Sequence, residues 1–114
     1  DDELELLQGT LDVLVLKTVS GTPMHAFEIT NWIEERSDGR VQIDDAALLQ
    51  ALHRLEDRQC IASEWGVTEN GRRAKYYRIT AAGRDYLRTE AVQLVDHLAA
   101  IVSILSAKTS KSRG

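Results

Sequence analysis

The chain has 114 residues, 43% of them hydrophobic and 28% charged, and a formal net charge of −4 at pH 7. This length fits one ordinary domain, and the composition excludes an intrinsically disordered chain. We expect a cytoplasmic protein, because the acidic start does not resemble a secretory signal and the uncharged segment 97–107 is too short to span a bilayer.

Opposite charges are separated along the chain. Residues 1–45 carry three positive and eleven negative side chains, whereas residues 70–90 carry six positive and two negative ones. DNA affinity depends on the local surface that meets the phosphates, so the negative total does not exclude a nucleic-acid ligand. A solvated cluster of charges is the alternative interpretation of the basic segment.

The first half of the chain predicts three helices and one short strand. After an acidic arm at 1–9, Thr10 is expected to cap a first helix, which ends at the turn 21–23. A second helix is predicted over 25–36, and the alternation in 40–43 predicts a very short strand. Asp44 or Asp45 then caps a third helix with an apolar stripe of Leu48, Leu52 and Leu55.

The second half predicts a hairpin and a long helix. Residues 61–67 and 74–79 are rich in β-branched and aromatic residues, and the link between them contains Asn70-Gly71, which tolerates positive φ. Thr80 is expected to cap a final helix that reaches about Ser106. The chain is therefore predicted to be mainly α with a small β-hairpin, in the order of a winged helix-turn-helix.

We predict a DNA-binding domain over 1–80, a dimerisation helix over 81–106 and a disordered basic tail over 107–114. The third helix would enter a major groove, and the hairpin would be the wing that reaches phosphates or a minor groove. Small domains of this order also serve protein contacts, so a winged-helix interaction module without specific DNA binding is the alternative.

The predicted final helix carries a heptad seam. Its apolar residues are spaced alternately four and three apart: Leu87, Ala91, Leu94, Leu98, Ile101 and Leu105, with Val95 and Val102 beside them. Packing against the same helix of a second copy would bury this stripe and set two third helices against two half-sites. The alternative is that the helix folds back on its own domain.

Two groups of side chains are the predicted DNA contacts. The hairpin group is Asn70, Arg72, Arg73 and Lys75, and the third-helix group is Gln50, His53 and Arg54. The alternatives are a solvated hairpin tip and an ordinary helix surface with Arg54 paired to an acid. Trp65 is expected to cover the hairpin. Trp32 is expected to pack at a domain or dimer boundary, although a flat aromatic there could instead stack on an effector.

The sequence predicts no enzyme, no metal site and no cofactor. The three histidines fall on separate predicted helices without a spaced ligand pair, and Cys60 has no neighbouring ligand. No glycine-rich phosphate loop precedes a helix, and no nucleophile with a base can be assembled.

Seven short motifs occur in order along the chain: Leu7-Gln-Gly-Thr-Leu-Asp12, Val15-Leu-Lys17, His25-Ala-Phe-Glu-Ile29, Ala51-Leu-His-Arg-Leu-Glu56, Ala62-Ser-Glu-Trp65, Arg72-Arg-Ala-Lys-Tyr-Tyr-Arg-Ile-Thr80 and Gly83-Arg84. With these motifs the chain resembles, over residues 7–105, the PadR family of bacterial transcriptional regulators. It implies a homodimeric repressor that binds a near-palindromic operator on double-stranded DNA. Many members release DNA when a small aromatic molecule binds near the dimer centre.

The chain departs from the family pattern at two places. The usual His-Gly-Tyr is His25-Ala26-Phe27 here, and the usual Gly, Ser or Thr, Leu-Tyr-Pro is replaced by residues 46–50, Ala-Ala-Leu-Leu-Gln. The second change removes a hydroxyl and a tyrosine from the DNA-facing end of the third helix. Gln50 could compensate by reading adenine, because its amide matches the N6/N7 edge of that base.

Overall fold

The computed structural model describes the backbone of residues 2–109 and the side chains of residues 9–109, so most of the predicted tail lies outside the described residues. The elements follow one another as α1 (Asp2–Thr18), α2 (Ala26–Arg36), α3 (Asp45–Asp57), β1 (Ile61–Val67), β2 (Arg73–Ile79) and α4 (Ala81–Ser106). The strands form one antiparallel hairpin. This order confirms the predicted winged helix-turn-helix with a long final helix.

Helix α1 begins at Asp2, so the predictions of a separate arm at 1–9 and of Thr10 as a cap were wrong. The cause is local. Residues 3–8 are all glutamate, leucine or glutamine, which are good helix formers, and acids in a first turn favour the helix dipole. The helix therefore starts eight residues before the expected cap.

The other three helices begin at capping residues, of which Asp44 and Thr80 were predicted. Asp44 accepts hydrogen bonds from the backbone N–H groups of Ala46 and Ala47 at the start of α3, and Thr80 accepts one from Gly83 at the start of α4. His25 caps α2 through a reciprocal box: its Nδ1 accepts from the N–H of Glu28, and its own N–H donates to the Glu28 carboxylate. Each cap satisfies backbone donors that the helix itself leaves unpaired.

The short strand predicted at 40–43 does not form. The bridge to the open edge of the hairpin is made by Met24, whose N–H and C=O both bond to Tyr77 of β2, at 3.1 and 2.9 Å. A segment without a ladder partner gains nothing from extended pairing. Segment 40–43 instead leads from α2 to the Asp44 cap, with Ile43 half-buried against the core.

The core lies between α1, α2, α3 and the base of the hairpin. Its fully buried side chains include Leu16, Ile29, Leu48, Leu52, Leu55 and Ile61. The predicted stripe of leucines on α3 is thus confirmed as the inward face of that helix. Burying a side chain of this size stabilises the fold by about 1.5–3 kcal/mol.

Close backbone contacts fix the start of α4 to this core. The Thr80 hydroxyl donates to the carbonyl of Gln59, and the Thr80 N–H donates to the carbonyl of Cys60. Gly83 lies so near the same Cys60 carbonyl that a Cβ atom there would collide with it. The direction in which α4 leaves the domain is therefore set by the end of α3.

Helix α4 leaves the domain halfway along its length. Leu87 packs on the core and Leu94 is half-buried at an open cavity between α1 and α4, whereas every residue of α4 from Val95 onward is exposed. The first half of α4 therefore packs against its own domain, as the alternative interpretation predicted, and the second half does not.

By length and composition α4 could also cross a membrane, contrary to the expectation from segment 97–107. That criterion is weak evidence, because a long helix with an apolar seam for a partner helix also meets it.

Candidate nucleic-acid interface

The outward face of α3 carries two of the predicted DNA contacts. Gln50 and His53 are exposed, and Ala46 and Leu49 continue the same stripe at helical spacing. The stripe lies opposite the buried leucines of α3, so packing of the core fixes which side chains this helix presents to solvent.

Arg54 points elsewhere. Its Nη2 donates to Oδ1 of Asp12 at 2.7 Å, and its Nε donates to Oδ2 of the same carboxylate at 3.4 Å. Asp12 lies on α1 and is 3% exposed. Arg54 is thus paired to an acid, the alternative arrangement. The guanidinium joins α1 to α3 instead of extending the surface of Gln50 and His53.

The tip of the hairpin is ordered by Thr68. Its N–H donates to the carbonyl of Arg72 at 2.8 Å, its carbonyl accepts from Gly71 at 2.9 Å, and its hydroxyl accepts from the Arg72 N–H at 3.2 Å. Gly71 has a φ of +81°, as the Asn70-Gly71 pattern predicts. Asn70, Arg72 and Arg73 are exposed, and Lys75 is half-buried.

An aromatic ring supports the basic side chains of the hairpin. The guanidinium of Arg73 lies 4.5 Å from the centroid of the Trp65 ring, and Lys75 is the register partner of Trp65. These three residues share the hairpin face that carries Ile61 and Tyr77 into the core. Trp65 is 59% exposed, so it supports Arg73 more than it covers the hairpin.

Trp32 packs against the core, and packing is one of the two roles predicted for it. It is half-buried against the core, and the guanidinium of Arg36 lies 4.9 Å from its ring centroid. The cation already occupies a position over the ring where an effector would stack.

Two buried titratable groups, Cys60 and Tyr77, lie at the base of the hairpin. Burial raises the pKa of the Cys60 thiol and that of the Tyr77 hydroxyl, so both stay protonated near neutral pH. A protonated, buried thiol is a poor nucleophile and a poor metal ligand.

The predicted dimerisation residues divide into two groups. Leu87 and Leu94 are half-buried within the chain's own fold. Leu98, Ile101 and Leu105 are exposed, with exposed fractions of 50% for Leu98 and 79% for Leu105. The apolar seam that α4 leaves uncovered therefore begins beyond Leu94.

Three short helices, a basic hairpin and a projecting helix define a winged-helix protein of the transcription-regulator class. The sequence matches the Transcriptional regulator PadR-like family over residues 15–89, and the chain belongs to that family. This membership makes it a DNA-binding regulator and not an enzyme.

Several individual proteins are similar to this chain. An uncharacterized protein of Lysinibacillus sphaericus is 32% identical over 83 residues, which are 73% of this chain and 76% of that protein. A transcriptional regulator from Clostridium thermocellum has a TM-score of 0.75 at 27% identity, covering 91% of this chain and 96% of its own. A PadR family regulator from Eggerthella lenta has a TM-score of 0.73 at 28% identity, covering 92% and 89%.

Proposed function

We propose that the protein is a homodimeric, cytoplasmic repressor that binds a near-palindromic operator. In this proposal the distal halves of two α4 helices pack together, each α3 reads one half-site, and each hairpin contacts phosphates. The observation that carries the proposal is the exposed seam of Leu98, Ile101 and Leu105 on a helix that projects from a compact domain.

The exposed seam supports self-association on energetic grounds. Large apolar side chains gain about 1.5–3 kcal/mol each when they are removed from water. Association must first offset the lost translational and rotational freedom of the two chains. A seam that also includes Val95 and Val102, contributed by both copies, supplies enough such side chains to do so.

The hairpin supports phosphate contact. Arg72 and Arg73 are exposed near a rigid turn, and Lys75 follows on the same strand. The start of α3 instead exposes Asp44 and Asp45, which phosphates would repel. Electrostatic attraction to the duplex is therefore assigned mainly to the wing.

Replacing Arg72, Arg73 and Lys75 together with alanine is expected to weaken operator binding and lower its salt dependence. Three lost phosphate contacts per chain, six per dimer, would reduce the slope of log K against log salt by about 5.4. The measurement is fluorescence anisotropy on operator DNA over a series of salt concentrations.

The matched control replaces Lys17, Arg36 and Arg88, three exposed cations outside α3 and the hairpin. It changes the net charge equally and should leave the slope near that of the parent protein. An unaltered slope in the hairpin variant would remove the wing from the mechanism.

For release by an effector, we propose a small aromatic molecule that binds near the dimer centre. An open cavity of about 320 Å³ between α1 and α4 is the candidate site; Thr10, Val13, Leu94 and His97 are among its lining residues. It combines apolar and polar groups beside the start of the exposed seam, as ligand sites commonly do. We favour it over Trp32, because Arg36 already lies on that indole ring.

A protein-interaction module remains the second candidate. The observation in its favour is an open groove between α2 and α3 where Phe27 and Leu49 are exposed beside Glu34 and Asp45. Selection from random duplex DNA separates the two functions. A module of this kind would retain DNA weakly and without sequence preference.

A further inference from the structure

The outward face of α3 has an unusual composition for a helix that binds DNA. Throughout α3, all of whose residues the structure describes, the exposed side chains include no arginine or lysine; they are Asp45, Ala46, Leu49, Gln50, His53 and Asp57. The basic residue of this helix, Arg54, is turned onto Asp12.

This composition restricts which bases the helix can read. Guanine is most often read by arginine or lysine on its O6 and N7 atoms, and neither residue is available on this face. Glutamine matches the N6/N7 edge of adenine, and apolar side chains contact the C5-methyl group of thymine. Gln50 and Leu49 are adjacent and both exposed, so the face offers a glutamine amide beside a large apolar side chain.

Leu49 is the more informative of the two residues. It is 47% exposed at the rim of the groove between α2 and α3, where the family resemblance leads us to expect a tyrosine. A leucine cannot hydrogen-bond to a phosphate or a base edge. If α3 lies in a major groove, the favourable contact open to Leu49 is an apolar one.

We infer that α3 reads an A·T-rich step in each half-site, with Leu49 against a thymine methyl group and Gln50 on adenine. One A·T base pair presents both groups in the major groove, so the two neighbouring side chains read the same pair or adjacent pairs. This inference rests on the proposed function, because it requires α3 to enter the groove.

The test uses the full chain and DNA selected from a random duplex pool. Each thymine of the selected site is then replaced singly by uracil, which removes the C5-methyl group and leaves base pairing intact. At the position read by Leu49 we expect binding to weaken about fourfold in each half-site, the worth of one buried methyl-sized group. Other thymines should show no such loss.

Two single variants assign the effect. Leu49→Ala should bind the thymine and uracil sites equally, because the side chain that senses the methyl group is gone. Gln50→Ala should keep the uracil penalty and lose its preference for adenine over 7-deazaadenine, which lacks N7. Both residues are on the helix surface, and circular dichroism checks that each variant is folded.

The possible results separate the inference from the proposed function. Specific binding with no uracil penalty at any position, or selected half-sites with only G·C pairs at the α3 step, would overturn the inference and leave the repressor intact. A chain that selects no sequence from the pool would overturn both.

Discussion

Replacing Leu98 and Ile101 with glutamate is expected to make the protein a monomer and to weaken operator binding about 100-fold or more. Both side chains are exposed on the part of α4 that leaves the domain. In the proposed dimer they face their counterparts, so each charge would be buried in an apolar seam without a partner. Linked half-site binding would then be lost together with the dimer.

Sedimentation velocity gives the oligomeric state, and fluorescence anisotropy gives the affinity. The control places the same charges at Ala100 and Ser103, which lie on the opposite side of α4 from the seam and are also exposed. This control should remain dimeric and bind as the parent protein does. A dimeric Leu98→Glu, Ile101→Glu variant would show that another surface joins the chains.

Removing the carboxylate of Asp12 is expected to cost about 3 kcal/mol or more of unfolding free energy. Asp12→Ala leaves the guanidinium of Arg54 partly buried between α1 and α3 without its partner; the Arg54 side chain is 25% exposed. The free energy of desolvating that charge would no longer be offset by the two hydrogen bonds. Urea denaturation followed by circular dichroism measures the change.

Asp85→Ala is the matched control. It breaks the ion pair between Asp85 and Arg88 on α4, in which the two charged groups are 3.0 Å apart and both side chains are more than 70% exposed. Its loss should lower the unfolding free energy by less than about 0.5 kcal/mol. The double variant Asp12→Leu, Arg54→Met should recover most of the loss, since apolar groups of similar size commonly replace a buried pair. Equal losses of unfolding free energy in Asp12→Ala and Asp85→Ala would mean that the buried ion pair contributes no more to stability than the exposed one.

The architecture could be predicted because its signals are local. Asp44, Thr80 and the Asn70-Gly71 turn each fix a boundary through hydrogen bonds or φ preferences within a few residues. The leucine stripe of α3 has a period that only one face of a helix can satisfy. Such features need no knowledge of the rest of the chain.

The errors arose where a distant partner or a competing local preference decides the outcome. Segment 40–43 alternates like a strand, yet it leads from α2 to the Asp44 cap as irregular backbone, and the bridge to β2 is made by Met24. For Arg54 two interpretations stayed open, and only the fold shows the carboxylate 42 residues away that binds its guanidinium. The start of α1 had no distant cause: helix propensity in residues 3–8 outweighed the expected cap at Thr10.

The exposure of Leu49 was missed for a different reason. Its exposure depends on how α2 and α3 pack. From the sequence alone, a leucine next to Leu48 is expected to be buried, because the orientation of the helix is not known. Only the departure from the family pattern at residues 46–50 could have drawn attention to it. The exposed side chains of the hairpin were thus predicted more fully from the sequence than those of α3.

Selecting operator DNA from a random pool and determining how many chains each selected duplex binds tests the central claim most directly. Two chains pairing through α4 should select two inverted half-sites with centres about 10–10.5 base pairs apart, or a multiple, and each duplex should bind two chains. Selected sites that contain a single half-site bound by one chain would contradict the account.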